Sequence, residues 1–357
     1  MRLHRSIRIS RRLRRSAAAL FLSVLPGVLW ANGCIVVRPT SQLVLGLENV
    51  HETAARKWDY TVGYRYLYSD RHFRGDHEEE ARQDERTDVR NEVHTFDHTV
   101  AYRHDERWRF SASLPLVYAE RSSLYEHDRM NRHTMKASGI GDVRLMGYRE
   151  MLAPGSGQGF TLGLGVKLPT GEKDATDTAF TMDGPEERTV DQSIQPGDGG
   201  TGLITELQAF RRVFDERSYA FFTASYLINP SNTNGVPTFR SRPSEAVMSV
   251  PDTYQARTGF TRVLSERMGL AMDLALRAEG VPAEDLIGGS DGFRRPGYAI
   301  YVEPAVNVRR GKHAFNVSLP IAVERNRVRS VTDRQDGAHG DAAFADYLLM
   351  STYSFSW

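Results

Sequence analysis

The sequence predicts an all-β fold, a transmembrane antiparallel up-and-down β-barrel of about twelve strands after an N-terminal signal peptide. Three observations predict it: alternation at period two, gaps that are short and long by turns, and a last strand that ends on an aromatic residue. Successive strand side chains point to opposite faces. Trp58, Tyr60, Val62, Tyr64, Tyr66 and Tyr68 therefore form one face, and Asp59, Thr61, Gly63, Arg65 and Leu67 the other. The pattern returns at Trp108–Tyr118, Phe160–Leu168, Met268–Leu276 and Phe315–Val323. Such segments start near Trp58, Val93, Arg107, Asp142, Gly159, Thr201, Ser218, Thr253, Arg267, Tyr298, His313 and Asp346.

Short charged gaps lie at His104–Arg107, Phe214–Arg217, Ser265–Arg267 and Arg309–Lys312, with a Gly/Pro turn at Ala153–Gly159. They alternate with long polar gaps at Asp70–Glu92, Glu120–Gly141, Thr170–Gly200, Asn229–Asp252, Gly280–Gly297 and Arg325–Ala345. Short periplasmic turns and long external loops are the habit of outer-membrane barrels. In the last segment Tyr347, Leu349, Tyr353, Phe355 and Trp357 share a face. A soluble sheet would be left with a sticky edge there, whereas a barrel closes on it. Tyr353, Phe355 and Trp357 are the expected assembly signal, read by the barrel-assembly machinery. A soluble β-sandwich is the disfavoured alternative.

The 357 residues carry 46 Lys and Arg against 45 Asp and Glu. A net charge near zero gives no reason to expect a nucleic-acid partner. Low mean hydropathy excludes a helical membrane protein but not a barrel, whose strands need one apolar face. Residues 1–33 read as a secretory signal, with a basic stretch Arg2–Arg15 before the short apolar run Ser16–Trp30. Residues 34–57 read as an extension or plug, with Gln42–Val50 a short strand or lumen segment, and 58–357 as the barrel. Cys34 is the single cysteine. No internal disulfide can form, and Cys34 is a candidate lipidated residue or a bystander.

Alternation turns Asp59, Arg65, Asp97, Arg103, Arg109, Asp142, Arg144, Lys167, Glu206, Asp273, Arg277, Glu303 and Glu324 toward the lumen. Such a lining either selects what passes or fills the space as an ion-pair network. Twelve strands lie between a filled eight-stranded barrel and an open sixteen-stranded one, so width alone does not decide. Inward Gly163 and Gly165 are expected to leave volume beside Lys167.

Three glycine-rich elements stand at external strand ends: Gly139-Ile140-Gly141-Asp142, Lys167-Leu168-Pro169-Thr170-Gly171 and Pro196-Gly197-Asp198-Gly199-Gly200. Glycine allows the conformations that rim turns and bulges need. In order and spacing these elements resemble the outer-membrane transporter family labelled as the putative MetA pathway of phenol degradation, over about Trp58 to Trp357. That family is similar in turn to barrels that pass hydrophobic substrates. The resemblance implies a barrel admitting small organic molecules.

His94 and His98 share a face of the second strand, and His127 and His133 lie in an external loop. No Ser/His nucleophile pattern surrounds them, and with Asp128 they match no familiar metal spacing. No enzyme activity and no cofactor are expected. Loop arginines Arg240, Arg242, Arg294, Arg295, Arg325, Arg327 and Arg329 suit lipopolysaccharide phosphate, since Arg binds phosphate through two hydrogen bonds. The expectation is an outer-membrane channel for passive passage of small molecules. The alternatives are a non-conducting structural barrel and a lipid-modifying enzyme.

Overall fold

The computed structural model describes residues 56–152 and 157–357. The expected signal peptide, Cys34 and the Gln42–Val50 segment lie outside the described residues. Antiparallel pairing runs through β1 (Trp58–Arg74), β2 (Arg90–Arg103), β3 (Trp108–Ser123), β4 (His133–Ile140 and Arg144–Glu150), β5 (Gln158–Lys167) and β6 (Gly202–Arg212). It continues through β7 (Ser218–Ile228), β8 (Thr253–Ser265), β9 (Leu270–Val281), β10 (Gly297–Arg310), β11 (His313–Ser318 and Ile321–Asn326) and β12 (Ala342–Ser356).

The first and last strands then pair, from Asp59↔Ser356 to Phe73↔Ala342, and close a twelve-stranded cylinder. Closure leaves no unpaired edge, which is what permits a sheet to cross lipid. Trp357 accepts the amide N–H of Trp58 at 3.1 Å and donates its own to the Trp58 carbonyl at 2.9 Å. Beside this seam Trp58 packs on Tyr102 with centroids 4.7 Å apart, and Phe355 stacks on Trp357 at 5.6 Å. Aromatic rings clustered at one strand end form the girdle expected at a membrane interface.

The outward face is apolar and exposed: Phe96, Phe110, Leu114, Leu116, Leu162, Leu164, Phe222, Phe260, Leu274, Leu276, Phe315 and Val323. So much exposed apolar area is unfavourable in water and favourable against acyl chains. The predicted strand starts hold, but several strands run further outward than alternation shows. The upper piece of β4 occupies His133–Ile140 inside the predicted gap Glu120–Gly141, and β12 begins at Ala342. Above the membrane neither face must be apolar, so the period-two signal fades there while backbone pairing continues.

Two strands are interrupted. In β4 the break is Gly141-Asp142-Val143, and β5 pairs only with the lower piece, Arg144–Glu150. In β11 it is Leu319-Pro320, where proline has no N–H for the ladder. A bulge in the upper piece of β11 sets Ile300 against Glu324 but Tyr301 against Ala322.

Candidate functional site: the lumen and its external stopper

Paired charge fills the lumen along β8–β10 and reaches across to β1. Arg65 on β1 reaches across to Glu279 on β9 at 2.6 Å, and Arg277 bonds the same carboxylate at 2.9 Å. Glu303 on β10 takes Arg257 at 3.0 Å and Arg277 at 3.7 Å, while Asp273 takes Arg257 at 3.2 Å and the Thr261 hydroxyl at 2.8 Å. All six ionic side chains are buried. Ions out of water are tolerable when paired, and each of the six has an opposite charge within 3.2 Å, although neither Glu303 oxygen makes a hydrogen bond among the described residues. Arg65, Asp273, Arg277 and Glu303 of the predicted lining therefore form a structural stack on the β8–β10 side.

The other predicted lining residues divide. Glu206 lies beside Tyr148 and Gln208, with Arg109 and Arg144 in electrostatic reach. The Arg109 guanidinium sits 4.3 Å from the Tyr148 ring centroid. Arg103 pairs in register with Arg109, and Asp97 lies opposite Gly63. Near the seam, Asp59 accepts from the Ser356 hydroxyl. Glu324 corrects the prediction. The β11 bulge turns it to the outer face, where it is exposed and accepts from the Tyr298 hydroxyl. One extra residue in a strand reverses every side chain beyond it.

The expected free volume at Gly163 and Gly165 is also corrected. A Cβ on Gly163 would lie 2.8 Å from the Tyr148 ring, and one on Gly165 2.2 Å from the Met146 sulfur. These glycines make room for large neighbours from β4, not for a solute.

Asp142 and Lys167 belong to a knot in which the three glycine-rich elements meet. Asp142 accepts the backbone N–H of Gly171 at 3.0 Å and of Asp198 at 3.2 Å. The Lys167 ammonium lies 3.5 Å from Asp142 and donates to Asp198. The Thr170 hydroxyl accepts from Val143 N–H at 2.9 Å and donates to the Gly141 carbonyl at 3.0 Å. A Cβ on Gly197 would stand 2.6 Å from the Gly171 carbonyl carbon. Only glycine lets these backbones approach so closely.

The knot anchors a loop segment that turns into the barrel. Residues 190–198, from the long β5–β6 connection, enter the external mouth. Val190 and Ile194 are fully buried in a cluster with Val93, Val117, Ala119, Met135, Tyr301 and Leu348 of the wall. Polar bonds hold the segment at several points. Asp191 is gripped by Arg295 through two bonds of 2.8 and 2.7 Å, with Arg121 at 3.7 Å. Gln192 donates to the Ser249 carbonyl at 2.7 Å, and Ser193 to Asn91 at 3.1 Å. Burial alone would raise the Asp191 carboxyl, but Arg121 and Arg295 hold it well below the ordinary carboxylate range. Beneath the segment lies a cavity of about 100 Å³, walled by Val93, Thr95, Val117, Arg144, Lys167, Leu227, Thr253 and residues 192–198.

The sequence reading missed Arg121 and Asp191, and it assigned Arg295 to lipopolysaccharide rather than to Asp191. Val190 and Ile194, apolar residues inside a polar loop, were the available signal. Among the loop arginines assigned to lipopolysaccharide, Arg294, Arg295 and Arg327 are buried in ion pairs with Asp285, Asp191 and Asp333 at 2.6, 2.7 and 2.8 Å. Arg329 is exposed. His94 and His98 face outward, bonded to the hydroxyls of Tyr64 at 2.9 Å and Tyr60 at 2.7 Å. His133 stacks on Phe180 at 4.4 Å in the external loops. No cluster of potential metal ligands occurs among the described residues.

A solved outer-membrane channel from Pseudomonas putida F1 superposes with a TM-score of 0.55 at 13% identity, over 85% of this chain and 96% of that one. The fold is that of an outer-membrane β-barrel. The β domain of the Bordetella autotransporter BrkA gives 0.45 at 15% identity, over 85% and 100% of the two chains. The Pseudomonas putida toluene transporter TodX gives 0.39 at 9%, over 84% and 90%. Neither of these two bears on function. No family model matches the chain, and no curated protein sequence does.

Proposed function

We propose that this barrel is an outer-membrane channel for passive passage of small organic molecules, apolar and aromatic ones among them, with residues 190–198 as its external stopper. The observation that carries the reading is that stopper. The mouth is closed by a loop segment held by a few polar bonds over a cavity, and a loop can move where a wall strand cannot. Val93, Val117 and Leu227 offer an organic solute an apolar surface in the cavity, beside the charges of Asp142, Arg144, Lys167 and Asp198. The glycine knot supports kinship with the phenol-degradation transporter family, and the Pseudomonas putida structure described as a channel supports the same use of the fold. Tyr353, Phe355 and Trp357 serve, in this reading, as the signal for the barrel-assembly machinery. The exposed Arg329 is the remaining candidate contact for lipopolysaccharide.

The test is single-channel recording in planar bilayers. Discrete conductance that grows when the Arg295 grip is removed (Arg295→Ala) supports the channel. The paired-charge stack of β1 and β8–β10 favours a second reading, a non-conducting structural barrel. A folded protein silent both as wild type and as Arg295→Ala would establish that reading instead.

A further inference from the structure

The stopper is held by a charge cluster in which one arginine bonds no carboxylate among the described residues. Arg121, Arg240 and Arg295 converge on Asp191, and Arg121 also holds Glu126 at 2.8 Å. Asp191 is saturated, with two bonds from Arg295 and one from the Ser193 hydroxyl at 2.7 Å. Arg240 is left over. Its guanidinium lies 4.2 Å from the Phe293 ring centroid, and Arg295 lies 4.5 Å from the same ring. Among the described residues, Nε of Arg240 has no hydrogen-bond partner. The carboxylates whose charge reaches it, Asp191 and Glu245, are engaged by Arg295 and Arg242. Burial, and then repulsion from Arg295, lower the Arg240 pKa to about 10. A half-buried cation with no carboxylate bonded to it is poorly compensated, and its guanidinium is still open to an arriving anion.

The grip of Arg295 on Asp191 shows which anion fits. It is a fork-on-fork pair, a geometry that matches a planar carboxylate. The site sits at the external mouth, on the segment that closes it. We propose that Arg240, backed by Arg295 and Arg121, recognises a small organic carboxylate, and that this ligand competes with Asp191 for Arg295 and so loosens the stopper. The gating half of the proposal rests on the channel reading. The binding half does not.

Benzoate is the probe, with its uncharged counterpart benzamide, acetate and inorganic phosphate as comparisons. Two readouts are taken on the full-length folded protein: calorimetric binding, and the ratio of bilayer conductance with and without millimolar benzoate. Benzoate is expected to bind and to raise conductance several-fold, with acetate acting in the same direction and benzamide inert. Arg240→Gln abolishes binding and the conductance ratio, and Arg240→Lys keeps part of both. Asp191→Asn raises conductance before ligand is added and flattens the response to benzoate. Heat-modifiable gel mobility verifies that each variant is folded. A response to benzamide equal to that to benzoate, or phosphate acting where benzoate does not, overturns the carboxylate assignment. So does benzoate binding that survives in Arg240→Gln. A silent protein that binds benzoate through Arg240 retains the site and sinks the channel reading. A conducting protein indifferent to benzoate does the reverse.

Discussion

Replacing Gly197 by alanine tests the glycine knot most directly. The added Cβ would lie 2.6 Å from the Gly171 carbonyl carbon and oxygen and 2.7 Å from its Cα. Relaxed carbon contacts need about 3.5–4.0 Å, so the two backbones must part by roughly 1 Å. The Asp142 carboxylate bridges both segments with bonds of 3.0 and 3.2 Å. A shift of that size breaks at least one of them, at about 1 kcal/mol. Overpacking adds about 1–3 kcal/mol, giving a total of about 2–4 kcal/mol. Gly139→Ala, in another of the three glycine-rich elements, is the control. Its Cβ would meet Pro196 at 3.6 Å, an ordinary contact, so a change within about 0.5 kcal/mol is expected. The assay is denaturant unfolding of both variants refolded in the same detergent, followed by the midpoint at equal slope. Coincident midpoints for the two variants would refute the account of why three separated motifs are rich in glycine.

Glu279→Gln strips the buried partner from Arg65 and Arg277 and should cost about 3–5 kcal/mol by the same unfolding assay; a change below about 1 kcal/mol would mean that water fills this part of the lumen. The depressed Asp191 carboxyl sets a pH dependence. Its folded pKa lies below the unfolded value, so its hold on the stopper is complete above the unfolded value of about 4 and is lost as pH falls through the folded one. Hydrogen-exchange protection of residues 190–196, corrected for the intrinsic pH dependence of amide exchange, should therefore be flat from neutral pH down to about 4 and fall below it, with Asp191→Asn removing that acid limb. Trp357→Ala should lower the fraction of folded barrel in outer membranes several-fold while unfolding of the purified, refolded protein changes little; normal insertion would discount the terminal aromatic as an assembly signal.

Strand number and order were legible because lipid imposes a rule on every membrane-spanning residue of the outer face. Trp108, Phe110, Leu114 and Leu116 could not be polar without cost, so alternation survives there. The interior obeys a weaker rule, charge balance, which many arrangements satisfy. Direction was therefore readable for Arg65 or Glu303, while their partners, four strands away for Arg65 and one or two for Glu303, were not. Glu324 shows the limit of direction itself, since a single bulged residue at Val323 reverses parity with no mark in composition. The glycine-rich elements were recognisable singly as turns. Their meeting was not, because it depends on how a loop of some thirty residues folds back on itself. The stopper was hidden for the same reason, and only Val190 and Ile194 betrayed it.

The bulge that turns Glu324 outward also bears on how the cylinder sits in its bilayer. Glu324 joins Glu92, Glu120 and Lys136 in a ring of outward ionisable groups near the external ends of the strands, where Lys136 bonds Glu120 at 2.7 Å. At the opposite end Trp58, Trp108 and Trp357 mark the other boundary. On β3 the span from Trp108 to Glu120 is twelve residues, or about 40 Å along the strand. With a strand tilt of about 40°, that projects to about 30 Å along the membrane normal. The hydrocarbon thickness this barrel accepts is thus written between one ring of tryptophans and one ring of charges. A membrane thinner by several ångströms would have to thicken locally, or the barrel tilt, to cover the apolar band between the two rings.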